Sequence, residues 1–166
     1  NLEGVGMRDS DPADAPRRYS RWLDELRQEQ TLRDYASYDE LAQRLMRDNP
    51  RLRPDRANFL ARHWGGEVES GRIVLKSDPA HKRINPILYR SAEVLACLRS
   101  ISAPVLWVEG EHTDMFDKFR IPLQEVEDRK RHIQDCKTCV VPNAGHMLHH
   151  DEPELVARLI EQFLQE

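Results

Sequence analysis

The stretch Ala103-Pro104-Val105-Leu106-Trp107-Val108-Glu109-Gly110 is a continuous apolar run of strand length closed by a glycine, and Thr138-Cys139-Val140-Val141 is a second, closed by Pro142-Asn143. Short runs of this kind suit parallel strands buried on both faces. Between them, roughly residues 121–133 read as a polar helix. Upstream, Ser91 to Arg99 reads as a helix with Val94, Leu95 and Leu98 on one side. Downstream, Leu155, Leu159, Ile160 and Phe163 give a last helix an apolar face, with Asp151 as its N-cap and Glu154 at capping-box spacing. Helix, strand, helix, strand, helix is the pattern of a doubly wound parallel sheet, so the expected fold class is α/β.

The preceding residues follow another rule. Tyr19, Trp22, Leu23 and Leu26 fall on one face of a helix that starts near Pro16. A second helix is predicted from Tyr38 to Asp48, ended by Asn49-Pro50, because proline disfavours helix in the residue before it. A third starts near Pro54, with Phe59, Leu60 and Trp64 on its apolar side, and stops at Gly65-Gly66. Gly71 to Leu75 reads as a short extended piece. Three short amphipathic helices with arginine-rich outer faces make a poor domain alone and a good cover for another. Their aromatics, Tyr19, Trp22, Tyr35, Tyr38, Phe59 and Trp64, are most simply the core of this helical segment, with Trp22 and Trp64 as candidates to line a substrate pocket.

Of the 166 residues, 39% are apolar and 33% charged, a balance that suits a thin piece better than a self-sufficient sphere. A net charge of −4 offers no basic footprint for nucleic acid. No apolar run reaches the roughly 18–20 residues that span a bilayer. The start, Asn1-Leu2-Glu3-Gly4, has neither an initiator methionine nor the basic-then-apolar pattern of a signal peptide, so the chain reads as cytoplasmic and as truncated, processed or cut from something larger.

Ligands of open α/β sheets bind at the carboxyl ends of the strands. One such end is Gly110-Glu111-His112-Thr113-Asp114; the other is Pro142-Asn143-Ala144-Gly145-His146. One loop offers an acid and the other a histidine. An imidazole used as a base needs an acceptor for its Nδ1–H, and a carboxylate can supply it.

These residues resemble the α/β-hydrolase family. Residues 103–110 followed by an acid look like its seventh strand. Asn143-Ala144-Gly145-His146-Met147, then Glu152-Pro153-Glu154 and a helix ending in Phe163-Leu164, look like its histidine loop and last helix. The upstream helices resemble its lid, inserted after the sixth strand. The resemblance implies three segments: residues 1–10 as the end of a core strand and a linker, 11–89 as a helical lid, and 90–166 as the C-terminal part of the core. It implies a hydrolase that cleaves an ester, amide, epoxide or similar bond through a nucleophile, His146 and an acid. Asp114 is the first choice for that acid, although three residues separate it from Gly110 where the family more often has two. Glu111 is the next choice. Glu3 is a third, because some members carry the acid after the sixth strand, whose end Asn1 to Gly4 could be.

The family's nucleophile sits in a Gly-x-nucleophile-x-Gly elbow. Ser10, Ser20, Ser37, Ser70, Ser77, Ser91, Ser100 and Ser102 all lack the flanking glycines. The nucleophile is therefore expected outside this chain, and the isolated chain is expected to be inactive. Its expected partners are a small-molecule substrate and either the missing N-terminal half or a second copy of itself, with no nucleic acid and no membrane. The alternative is a noncatalytic, self-associating fragment. No cofactor is required. No metal is expected either: His146, His149 and His150 precede the last helix, and Cys136-x-x-Cys139 has no second pair.

Overall fold

The computed structural model describes residues 1–166. The chain divides into two units, Asp11–Leu88 on one side and Asn1–Ser10 with Tyr89–Glu166 on the other.

The first unit is built from α1 (Ala15–Leu26), β1 (Asp34–Tyr35), α2 (Tyr38–Asp48), α3 (Pro54–Trp64), β2 (Gly65–Glu67) and β3 (Ile73–Leu75). Helix α2 starts where Ser37 Oγ accepts the Glu40 N–H, while the Glu40 carboxyl accepts the Ala36 N–H. Helix α3 has Pro54 in its first turn, where a missing N–H costs nothing. The core is Tyr35, Leu41, Ala42, Leu52, Ala57, Ala61 and Ile73, with Tyr38 packed against it. Ala57 and Ala61, one turn apart, form the buried face of α3. Phe59 points the other way and is 60% exposed; Tyr19 and Trp64 are exposed as well. The aromatics as a group are therefore not this core, which is made where small residues let helices approach. Helix α1 keeps its apolar stripe but buries none of it fully.

The short strands form an antiparallel sheet in the order β1-β3-β2, with Val74 opposite both Asp34 and Gly66. Strand β3 lies within the extended piece expected at Gly71 to Leu75, whereas β2 falls on the Gly65-Gly66 helix stop and β1 is two residues long. At Gly65 a Cβ would lie 2.7 Å from Ile73 Cγ2 and 2.8 Å from the Ala61 carbonyl oxygen. The glycine thus ends α3 and lets β2 begin against the core in the same step.

The second unit contains α4 (Ser91–Arg99), β4 (Val105–Gly110), α5 (Met115–Lys118), α6 (Leu123–Arg131), β5 (Cys136–Val141), α7 (Leu148–Asp151) and α8 (Pro153–Leu164). Strands β4 and β5 pair in parallel from Val105 opposite Cys136 to Gly110 opposite Val141. The first residues of the chain lie along the other edge of β4. Leu2 bridges Val108 in parallel, Val108 N–H donates to the Asn1 carbonyl, and Glu3 N–H donates to the Val108 carbonyl. Alternate residues of β4 serve two cores. Trp107 packs with Val5, Met115, Ile121, Val126 and Ile133; Leu106 and Val108 pack with Val141, Ala144, Leu148 and Val156. Helix α8 lays Leu155, Leu159, Ile160 and Phe163 on the second of these. No helix of the chain is long and apolar enough to cross a membrane.

Asp151 does not cap α8, as its spacing to Glu154 suggested. It closes the short helix α7, and Glu152 takes the cap position. The Asp151 carboxyl turns inward and accepts the Gly145 N–H at 2.9 Å.

The separate cores give a direct test. Leu41 and Leu148 are each 1% exposed or less, one in each unit. Leu41→Ala and Leu148→Ala should each cost about 2–5 kcal/mol. Hydrogen exchange should accelerate within the altered unit first, and equal acceleration throughout the chain would contradict the division.

Candidate functional site

The carboxyl ends of β4 and β5 are tied together before any side chain of chemical interest is considered. The Glu111 N–H donates to the Val141 carbonyl at 3.0 Å, and the His112 N–H to the Ala144 carbonyl at 2.8 Å. The Glu111 carboxyl accepts the Asn143 N–H at 2.9 Å and lies 3.5 Å from His112 Nε2. Asn143 sits at a φ of 58°, a conformation that asparagine tolerates better than most residues. Glu111 is thus a clamp across the two loops.

His146 follows this clamp. Its side chain is 40% exposed, and its Nδ1 lies 3.5 Å from Glu3 Oε2, while the Glu3 side chain is wholly buried. Glu3 Oε1 accepts the Gly110 N–H at 2.5 Å, and Oε2 accepts the Thr113 hydroxyl at 2.7 Å. Two donors thus hold a carboxyl group away from water and leave one oxygen facing the imidazole. The His146 Nδ1 is itself buried, with no hydrogen bond completed. Catalytic hydrogen bonds are often this long without substrate and shorten when it binds.

Among the three candidate acids, the one beside His146 is Glu3. Asp114 is exposed at the N-cap position of α5, where its carbonyl accepts the Lys118 N–H. The extra residue after Gly110 carries Asp114 beyond the loop crossing and into the start of that helix. Glu3 was legible only as the end of a possible strand. Its backbone adds a second mark, a φ of 55°. Strained backbone of this kind concentrates at functional sites.

Trp22 and Trp64 belong to the other unit, on α1 and at the end of α3. Trp22 is half-buried. Trp64 lines a cleft of about 500 Å³ with His63, Leu75, Lys76 and Ser77. Cys136 and Cys139 pack into different cores, which three residues along a strand require, so the two thiols cannot share an ion. No group of three or more His, Cys, Asp or Glu side chains converges as metal ligands would.

Two measurements probe this architecture. A Cβ at Gly110 would lie 2.4 Å from the Gly145 carbonyl oxygen and 2.6 Å from that of Ala144. Gly110→Ala should therefore push the histidine loop away from β4. A lower Tm and a displaced His146 in the variant's crystal structure are expected, and an unmoved loop would contradict the packing. The second is a pH effect. Partial desolvation lowers the pKa of both the half-buried His150 and His149, whose side chain still reaches solvent, with the charge of His146 adding to the effect at His149 and that of His149 at His150. In the unfolded chain both take up protons as pH falls through about 6.5, while the folded chain still resists. Stability should therefore drop as pH falls from about 6.5 toward the lowered folded values. Thermal unfolding of the His149→Gln/His150→Gln variant should show a shallower drop across this window.

No protein-family model and no curated protein sequence matches the chain. Solved structures do. A hypothetical protein from Pseudomonas aeruginosa superposes with a TM-score of 0.74 at 20% identity, over 96% of this chain and 55% of that one. The thioesterase domain from the curacin biosynthetic pathway gives 0.71 at 19% identity, over 93% and 53%. A peroxisomal α/β-hydrolase from Saccharomyces cerevisiae gives 0.61 at 14% identity, over 96% and 43%. The chain thus spans about half the length of the structures it matches. At such identities the likeness concerns the fold, and the fold of this chain is that of about half of an α/β-hydrolase.

Proposed function

We propose that this chain is the acid–histidine portion of a hydrolase whose nucleophile lies outside it, with Glu3 as the acid and His146 as the base. One observation carries the reading: the wholly buried Glu3 carboxyl, held by Gly110 and Thr113, faces the buried Nδ1 of His146 at 3.5 Å. A carboxylate there fixes the imidazole tautomer with Nδ1 protonated. It leaves Nε2 free to take the proton of a nucleophile as that group attacks, and it stabilises the imidazolium that forms. The proton then passes to the leaving group, and water releases the covalent intermediate with His146 again as base. The chemistry is cleavage of an ester, amide, epoxide or related bond. The thioesterase domain and the E-2-(acetamidomethylene)succinate hydrolase among the similar structures favour an acyl compound. The helical unit Asp11–Leu88 would act as the lid, with Trp22 and Trp64 contributing to the substrate pocket.

An apolar cleft of about 320 Å³ lies among Asn1 and Leu2, the start of β4 (Pro104, Leu106) and the end of α8 (Ile160, Phe163, Leu164). It favours a second polypeptide there: the N-terminal half of the hydrolase, or another copy of this chain if the protein is a self-associating, noncatalytic fragment.

The reading is tested in two steps. The isolated 166-residue chain should not turn over p-nitrophenyl esters. His146-dependent hydrolysis by this chain alone would remove the need for an outside nucleophile. In the complete hydrolase, Glu3→Gln should lower kcat by about 10⁴-fold, the magnitude seen when a triad loses its carboxylate. Asp114→Asn should leave kcat unchanged; the reverse ranking would reassign the acid.

A further inference from the structure

The left-handed backbone at Glu3 takes the chain out of the sheet at once, and the carbonyls that follow lose their strand partners. A buried carbonyl without a partner is costly. In this structure one side chain supplies the donors. Arg129, on α6 and 2% exposed, donates through Nη1 to the Val5 carbonyl and through Nη2 to the Met7 carbonyl at 2.6 Å. Its Nη2 also donates to the Glu125 carboxyl at 2.5 Å, and the guanidinium lies 5.7 Å from the centre of the Tyr89 ring. Gly6, at a φ of 81°, brings the backbone so close that a Cβ there would lie 2.5 Å from Tyr89 Oη and 2.9 Å from Arg129 Nη1.

We propose that Arg129 is a positioning residue for the Glu3–His146 pair, holding the segment after Glu3 so that its carboxyl reaches Gly110 and His146. The inference rests on the reading of Glu3 as the acid. The segment is bracketed. Before Glu3, Leu2 is paired with Val108. After it, the Val5 side chain is buried in the core and the Val5 and Met7 carbonyls are held by one planar fork. Two carbonyls two residues apart need two donors in fixed relation, which a guanidinium provides and an ammonium does not. Burying this cation with one carboxylate as its counter-charge is expensive, and apolar side chains usually fill such space at no loss of stability. The arginine is therefore better explained by the geometry it imposes than by stability.

The test is proton NMR of the 166-residue chain with two reporters. The Gly110 amide donates to Glu3 and reports where the carboxyl is; the ring Nδ1–H of His146 reports the pair. Arg129→Met should abolish the His146 signal and lower Gly110 exchange protection by about tenfold or more, with the amides around Leu41 unaffected. Arg129→Lys should restore both only in part. Wild-type values for both reporters in Arg129→Met would overturn the proposal, because a merely structural arginine would lower Tm and leave them unmoved. If Arg129→Met does not fold, Arg129→Lys decides, and unchanged Gly110 protection in it overturns the proposal equally. Glu3→Gln separates the two readings. A His146 signal that survives Glu3→Gln refutes the acid assignment, whereas loss in Glu3→Gln with retention in Arg129→Met refutes the role of Arg129 alone.

Discussion

A carboxyl group with no solvent contact must find its hydrogen-bond donors in the protein, and the arrangement around His146 depends on where Glu3 finds them. The Gly110 N–H is the next one of β4 on the Asn1 side after that of Val108, which donates to Asn1, and the Thr113 hydroxyl comes from the loop that follows. Both donors lie more than a hundred residues along the chain from Glu3. They become neighbours only because Leu2 pairs in parallel with Val108. The carboxyl group is thus fixed by strand register, and strand register is fixed by the two cores that alternate along β4. A slip of one residue would exchange Trp107 with Val108 between those cores and point Glu3 to the opposite face.

The histidine is positioned by backbone contacts of a different kind. Val141 and Ala144 accept from the β4 loop, Glu111 clamps Asn143, and Asp151 reaches back to the Gly145 N–H. Gly110 permits this closeness, since any side chain there would collide with two carbonyl oxygens of the histidine loop. Three carboxylates, Glu3, Glu111 and Asp151, therefore serve one short segment, and only Glu3 faces the imidazole. The other two accept backbone N–H groups that the tight turn leaves without partners, which is the ordinary requirement of buried main chain.

This division explains what the sequence could reveal. Helix α2 and the start of α3 were legible because prolines and a 3.6-residue period agree there. The apolar runs of β4 and β5 were legible because parallel strands buried on both faces contain few polar residues. His146 could be chosen because it follows a strand end and a glycine. The carboxylate that faces it could not be chosen from spacing. Asp114 and Glu111 lay in the adjacent loop, where local reasoning looks first, whereas Glu3 depends on a strand pairing only a few residues long. Asp151 misled in a related way, since a carboxylate before a helix has the same signature whether it caps that helix or turns back to hold a loop. Tyr35 and Tyr38 do join the first core, whereas Tyr19, Phe59 and Trp64 misled because apolar character predicts burial only when the face they occupy meets another element.

The identity of residue 3 follows from the same geometry. The Asn1–Glu3 segment lies on one side of β4 and β5 on the other, so an acid on the first must reach past the end of the middle strand to meet a histidine that follows the last. Two strand spacings amount to about 10 Å. The histidine loop bends back over β4 at Gly110, which shortens this gap, and a glutamate carries its carboxyl one methylene farther than an aspartate. The φ of 55° at Glu3 lifts the side chain off the strand line toward the loop. A longer side chain and a strained backbone together achieve what an aspartate on the middle strand would achieve without strain. The conformational cost of that solution falls on Glu3 itself, and the residues just after it are the ones that Val5 and Arg129 hold in place.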